Sequence, residues 1–324
     1  MQRRKFLGVF TSAMASSIAM PAVAQQGFPS RTIRVILPSP PGGSTQIMLR
    51  PLQDAIQRAL GQPVITEYKP GASGITGTLE IARAAPDGHT LGFIWNGPMG
   101  LGPVLRPDVG YDTVLDFAPI SIVGRAPGVI IANPGVPNDL AGFIAYVKSQ
   151  PPGTVGCANA GMDSAGHFWA RKLAERAGIE LLHVPYKSTN EAVPALVSGD
   201  VKIMFSGASS MINNLVKDKR LKLMAVASAA PSSMFPGTDL VSKAVPGFTA
   251  DIWYGMVAPK GTPREIVQRI QKLVAQQLED SATRKAYYDT SCEPVGTTPE
   301  QMAEAIRAER AYWQEFTRGV KIKA

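Results

Sequence analysis

A strand–loop–helix–strand unit between residues 154 and 188 constrains the fold of this chain more than any other stretch. Hydrophobic periodicity and turn residues place a strand, a small-residue loop, a helix and a second strand at 155–158, 159–164, 165–177 and 180–184. In such a βαβ unit the loop leaves the carboxyl end of a strand, where open parallel sheets bind ligands. Ser164 is placed to cap the helix, so that free N–H groups face the loop. The pattern predicts a cradle for an anion.

A second cradle of the same kind lies near the start of the chain. Residues 31–37 read as a strand, 38–44 as a Pro/Gly/Ser loop, and 45–60 as a helix ended by Gly61. A further glycine loop, 68–77, opens another helix, but its G-x-x-G-x-x-G spacing is not that of dinucleotide-binding proteins. Two cradles in different halves of the chain suggest two lobes that grip one small ligand.

The order of elements supports a two-lobe architecture. Strands alternate with helices throughout, which indicates an α/β fold with mostly parallel sheets and flanking helices. The apolar runs 119–132 and 252–258 are candidates for passing from one lobe to the other. A chain of this length exceeds the size at which a single core stops growing. We therefore predict a first lobe from 25–124 and 254–324, and a second lobe from 125–253.

The N-terminus has the features of an export signal. Arg3, Arg4 and Lys5 precede an apolar segment too short for a permanent membrane anchor, and Ala22-Val23-Ala24 is an A-x-A cleavage site. We predict a Tat-like signal peptide at 1–24 and a periplasmic location; an ordinary secretory signal is the open alternative.

The charge balance fits a small anionic ligand. The formal net charge is +8, and removal of the three basic residues in 1–24 leaves 8 − 3 = +5. The basic residues of the remaining chain are scattered rather than clustered, which disfavours nucleic acid as a partner. A mild positive field suits a small anion.

The sequence disfavours catalysis, metals and cofactors. Cys157 and Cys292 are expected to be unpaired and mostly buried, and with three scattered histidines they offer no metal-ligand spacing. A thiol–imidazole pair of Cys157 and His167 is conceivable, but Cys157 lies in or at the end of a strand. The G-x-S-x-G nucleophile elbow is absent: 207–211 and 71–74 both fail the pattern. We expect a binding protein without a cofactor.

A series of short motifs resembles the Bug family, the periplasmic solute-binding components of tripartite tricarboxylate transporters. In chain order the motifs are Pro40-Pro41-Gly42-Gly43, Lys69-Pro70-Gly71-Ala72-Ser73-Gly74, Pro86-Asp87-Gly88-His89, His183-Val184-Pro185-Tyr186-Lys187, Ala258-Pro259-Lys260-Gly261-Thr262-Pro263 and Pro294-Val295-Gly296-Thr297-Thr298-Pro299-Glu300. The resemblance implies a type II-like Venus flytrap that holds a small carboxylate and delivers it to a membrane permease.

The resemblance also implies where the ligand is held. Backbone N–H groups of both lobes and ordered waters would contact it, at Gly43, Ser44, Thr45, Ala72, Ser73, Gly74, Ala160, Met162, Asp163, Ser164, Tyr186 and Lys187. Gln46 and Asp163 depart from the family pattern, which commonly has an acidic residue and a glycine at these positions. The chemical group at the end of the ligand away from the bound carboxylate is therefore left undetermined. Asn96, at the end of a strand, is a further candidate.

The ligand class and the recipient stay open within limits. Di- or tricarboxylates are candidates, as are aromatic acids if Trp95 and Met162 line the cleft. We expect a monomer that closes on its ligand. The recipient is a permease or, alternatively, a sensor kinase.

Overall fold

A computed structural model describes residues 27–161, 164–228, 230–232 and 234–317. The predicted signal peptide and the candidate residues Met162 and Asp163 lie outside the described residues.

Ten strands and eleven α-helices alternate along the described chain. The strands are β1 (Ile33–Leu37), β2 (Val64–Tyr68), β3 (Thr90–Trp95), β4 (Phe117–Ala132), β5 (Gly156–Asn159), β6 (Leu182–Pro185), β7 (Ile203–Gly207), β8 (Lys222–Val226), β9 (Asp251–Pro259) and β10 (Glu293–Pro294). The helices are α1 (Ser44–Leu60), α2 (Ile75–Arg83), α3 (Gly102–Leu105), α4 (Leu140–Lys148), α5 (Ala165–Ala177), α6 (Thr189–Ser198), α7 (Ser210–Lys217), α8 (Val241–Ala244), α9 (Arg264–Leu278), α10 (Ser281–Asp289) and α11 (Pro299–Phe316). A 3₁₀ turn at Ala72–Gly74 and a π turn at Gly97–Leu101 complete them.

The first part of the sheet is parallel. β1 lies between β2 and β3 and pairs with both in the same direction. Its side chains at Ile33, Val35 and Leu37 are fully buried and pack with Met48 and Leu52 of α1. An almost continuous apolar strand is what burial on both faces requires.

The second part repeats this arrangement. β5 lies between β6 and β7 in parallel register. Trp169 of α5 packs against Phe205 of β7 with ring centroids 5.5 Å apart. Two parallel three-stranded units, each covered by helices, therefore stand in different parts of the molecule.

Two crossing strands, β4 and β9, join these units. β4 pairs antiparallel with β9 from Phe117 to Pro127, and from Gly128 to Ala132 it pairs antiparallel with β7. β9 in turn pairs antiparallel with β3. The predicted α/β two-lobe fold is confirmed, and the passage of 119–132 and 252–258 from one lobe to the other stays a prediction. Parallel pairing holds inside each unit, and the crossing strands make the whole sheet mixed. The lobe boundaries at 125 and 254 stay a proposal.

Local signals placed most helix ends correctly. Ser164 caps α5 by accepting from the His167 N–H, and Gly61 and Gly178 adopt left-handed conformations with φ of 70° and 63°. The Thr262-Pro263 sequence is typical of a helix start with threonine as N-cap, but the Thr262 side chain does not cap α9. The hydroxyl of Thr262 donates instead to the Pro259 carbonyl, and α9 begins after Pro263.

The C-terminal helix α11 ties the crossing strands to the second part. Glu309 of α11 accepts from the indole N–H groups of Trp253, on β9, and Trp313. Trp313 stacks on Trp169 of α5 at a centroid distance of 6.3 Å. Asp251, also on β9, pairs with Arg125 of β4 at 2.7 Å. Glu309 thus lies at the point where the two units meet. No helix in the described ranges combines the length and apolar character needed to cross a bilayer.

Candidate ligand-binding cleft

A cleft of about 410 Å³ opens between the start of α1 and the ends of β7 and β9. Elements of both units contribute to it. Its lining is Gly42, Gly43, Ser44, Ile47, Met48, Thr189, Asn190, Ser206, Gly207, Ala208, Ser209, Ser210, Met211, Ile252, Tyr254, Thr290 and Cys292. Every one of these residues is uncharged, so recognition in this lining falls to dipoles, hydrogen bonds and apolar contacts.

Three helix N-termini border the cleft. They are the first turns of α1, α6 and α7, at Ser44, Thr189 and Ser210. The first N–H groups of a helix lack intrahelical partners, and the helix dipole gives that end a positive partial charge. Three such ends around one cavity make it attractive to an anion.

The caps leave the foremost amides of these helices available. The hydroxyls of Ser188 and Ser209 accept from the third helical N–H of α6 and α7, at Glu191 and Ile212, over 3.4 Å each. At α1 the N-cap is Gly43, which has no side chain to use. The N–H groups at the first position of each helix are therefore free of capping side chains.

A second set of lining residues is apolar. Ile252 and Tyr254 alternate on β9 and so point to the same side of the strand. Gly207 packs closely beside them: a Cβ there would lie 2.5 Å from Cδ1 of Ile252, so a larger residue would make the isoleucine side chain shift. Burial raises the pKa of the Tyr254 hydroxyl, with Cys292 adding to the effect, so it stays a neutral hydrogen-bonding group. The cleft joins amide donors to a hydrocarbon surface.

The predicted residues of the first loop are partly in the lining. Gly43 and Ser44 line the cleft, whereas the Thr45 hydroxyl lies 2.9 Å from that of Ser39. Gln46 accepts from the Gly42 N–H over 2.7 Å. These two side chains hold the loop in shape, and their contact with a ligand stays a prediction.

The predicted residues of the glycine loop are not part of the lining. Ala72 and Ser73 have φ of 45° and 56°, a left-handed conformation that costs non-glycine residues free energy. At Gly74 a Cβ would meet the Trp95 ring at 2.9 Å. The ring is thus seated against this loop, and direct ligand contact by Ala72, Ser73 or Gly74 stays a prediction.

The predicted residues of the second lobe that the structure describes also lie outside the lining, and their contact with a ligand stays a prediction. Ser164 donates to the Gly161 carbonyl over 2.7 Å as well as capping α5. The Tyr186 N–H donates to Asn159, and the Lys187 N–H to Glu191. Ala160 packs against an apolar cluster around β7.

Asn96 has a clear structural role. Its side chain is 4% exposed and donates to the Asp251 carbonyl over 3.0 Å and to Glu309 over 3.1 Å. The residue joins the end of β3 to β9 and α11. Its expected ligand contact is untested, but both donors are already used at the junction of the two units.

Sequence reasoning missed most of the cleft's second side. The loop Gly207-Ala208-Ser209-Ser210 leaves strand β7 and opens helix α7, as the two predicted cradles do with their own helices. This strand–loop–helix pattern is the sequence signal that identifies a third cradle. Thr189 and Asn190, at the start of α6, were also missed.

Both cysteines are free and buried, as predicted. Burial raises the pKa of Cys157 to about 12 and that of Cys292 well above its usual value. Burial together with the charges of His167 and Arg171 lowers the pKa of His183, the neighbour of Cys157 in the parallel register, to about 4. A neutral thiol beside a neutral imidazole is a poor nucleophile. The described residues also contain no group of three or more His, Cys, Asp or Glu that could hold a metal ion.

The native protein is therefore expected to resist thiol reagents. Titration with an aromatic disulfide reagent should label no cysteine before unfolding and two per chain in denaturant. Labelling of one thiol in the native state, at the rate of a free thiol in solution, would contradict the buried positions.

Comparison with known proteins places the chain among transport receptors. Residues 48–321 match the family model described as the tripartite tricarboxylate transporter family receptor. Protein BugT of Bordetella pertussis is 32% identical over 322 residues, which cover 98% of this chain and 97% of BugT.

Solved structures share the fold. The periplasmic binding protein BugD is 29% identical, with a TM-score of 0.75 over 90% of this chain and 98% of its own. MatC from Rhodopseudomonas palustris, solved with bound malate, is 28% identical, with a TM-score of 0.75 over 89% of this chain and 99% of its own.

Proposed function

Because the chain belongs to the tripartite tricarboxylate transporter receptor family, we propose that it captures a small organic carboxylate between its two lobes and delivers it to a membrane transporter. The resemblance found in the sequence is confirmed by the family match. The convergence of three helix N-termini on one cleft with an uncharged lining carries the proposal. The malate bound by the related MatC supports a carboxylate as ligand.

The cleft suggests how binding couples to lobe closure. The start of α1 meets the carboxylate from one lobe, and the starts of α6 and α7 complete the cage from the other. At the edge of the cleft, Asn213 of α7 donates to the Ser291 hydroxyl over 2.6 Å, which bridges the lobes. Contacts that exist only in the closed arrangement shift the population towards it when ligand is present.

The wider setting follows from family membership. The family's receptors are periplasmic, and we propose that residues 1–24 direct this chain there as a signal peptide. We propose a monomer that binds without catalysis and hands its ligand to permease subunits. Co-purification with the two membrane subunits, in the presence of ligand, tests this recipient against a sensor kinase.

A comparison of acids with their amides tests the proposed function. Small carboxylates such as malate and benzoate should raise the melting temperature, since a ligand at 100 times its dissociation constant adds about 2.7 kcal/mol of stability. The corresponding amides keep the shape but lose the charge, and should have little effect. If amines or sugars stabilised the protein while every carboxylate left it unchanged, the proposal would be wrong.

A further inference from the structure

We infer that the preferred ligand is an acid with one anionic end and a hydrocarbon or aromatic body, rather than a tricarboxylate. The inference rests on the proposed function and narrows the ligand class of the same cleft. It follows from the apolar lining residues and from their placement relative to the helix N-termini.

The first two of these apolar residues, Ile47 and Met48, lie in the N-terminal turns of α1. Ile47 lies three residues after Ser44, which places both on the same face of α1 within one turn. Met48, the next residue, is fully buried and forms part of the floor. An acid whose carboxylate meets the first amides of α1 therefore has its body beside a branched hydrocarbon side chain.

Ile47 is also conspicuously exposed for its type. It is 48% accessible, one of few large apolar side chains above a third. The adjoining apolar residues of α1 are buried in the core of the first lobe. Ile47 borders both this cleft and an outer groove between α1 and α10, so a ligand in the cleft would cover the part of its side chain that faces the cleft.

The remaining walls continue this surface. Met211 is the second residue of α7, and its unbranched thioether adapts to varied apolar shapes. Ile252 and Tyr254 add a branched side chain and an aromatic ring from β9, and Cys292 adds a small buried thiol. Each methylene buried against such a surface raises affinity roughly fourfold.

A second or third carboxylate would meet these same side chains. Against Ile47, Met48, Met211 and Ile252 it would lose its hydration without gaining hydrogen bonds, and no residue of the lining offers an opposite charge, which is unfavourable. The helix N-termini supply amide donors for one anionic end. A single carboxylate on an apolar body matches both parts of the cleft.

Matched acid pairs test the inference by calorimetry on the purified full-length mature chain. Hexanoate and adipate have the same number of carbon atoms and differ only in whether one end is a methyl group or a carboxylate, as do 4-methylbenzoate and terephthalate. The monoacid of each pair is expected to bind at least tenfold tighter. Equal or tighter binding of the diacid would overturn the inference while leaving the proposed function intact. If none of these four acids binds, the inference fails, and the proposed function fails with it only if malate also leaves the melting temperature unchanged.

A charge placed on the apolar wall provides a second test. Ile47→Lys should weaken monoacid binding and strengthen diacid binding, which shifts the affinity ratio by at least tenfold. Ile47 is exposed enough for the folded state to tolerate the change. Ile65→Lys, at a 44% exposed isoleucine on β2 outside the cleft lining, is the matched control and should change the ratio less than twofold. An unchanged ratio in Ile47→Lys would contradict the apolar body contact.

Discussion

Ser44→Pro is expected to weaken carboxylate binding by about 10- to 100-fold, because it deletes one amide donor and leaves the helix intact. Ser44 is the first residue of α1, where proline is well tolerated and its fixed φ fits. The preceding Gly43 has φ −88° and ψ 172°, the extended conformation that a following proline favours. Titration calorimetry with one carboxylate on the wild type and variant measures the loss.

The matched control for this change is Ser44→Ala. It removes the hydroxyl and keeps the N–H, so affinity should fall less than about threefold. Melting temperatures of both variants without ligand should stay close to that of the wild type. If alanine costs as much as proline, the hydroxyl and not the backbone is the donor, and amide recognition at α1 is wrong.

Stability should fall as pH rises from about 5 to about 8, because of Glu309. Burial has the largest effect on the carboxyl group of Glu309 and raises its pKa, and the neighbouring charge of Asp251 raises it further. Hydrogen bonds from Trp313, Trp253 and Asn96 lower it, and the resulting pKa is about 7. A carboxyl group with a raised pKa in the folded state binds its proton more tightly there than in the unfolded chain. Its stabilising contribution is therefore present at low pH and is lost as the pH passes through the folded value. A shift of this size corresponds to about 3 kcal/mol.

Urea unfolding at a series of pH values measures this dependence. The charged and titratable groups around Glu309 are Asp251 with its partner Arg125, and Tyr312 on the same helix. In Glu309→Gln the fall in the free energy of unfolding between about pH 5 and pH 8 should largely disappear. The N–H₂ group of the glutamine side chain should lower stability by a similar amount at every pH. Glu304→Gln, on an exposed face of α11, should keep the wild-type slope. A wild-type slope in Glu309→Gln would show that this group keeps its ordinary pKa.

The alternation of elements was predictable because its signals are local. The apolar run of β1, the glycine after α5 and the serine before it each lie within a few residues of the structure they determine. The same holds for the long strands β4 and β9, since strands of this length show in the sequence as unusual apolar runs.

The cleft was only half predictable because its composition depends on distant pairings. Which helix starts meet α1 is decided by the antiparallel pairing of β4 with β7 and β9, and no local pattern specifies that pairing. The sequence therefore did not predict that the start of α7 lines the cleft, and the predicted residue Lys187 lies outside the lining. Asn96 shows the same limit: its partners Asp251 and Glu309 are 155 and 213 residues away in sequence.

The central claim is that backbone amides of both lobes bind the anion, and amide resonances report on this directly. In ¹⁵N-labelled protein titrated with a stabilising carboxylate, the N–H signals of Ser44, Thr189 and Ser210 should move downfield together and saturate at one ligand concentration. Saturation that leaves these three signals in place, while side-chain signals elsewhere shift, would contradict recognition by the helix N-termini.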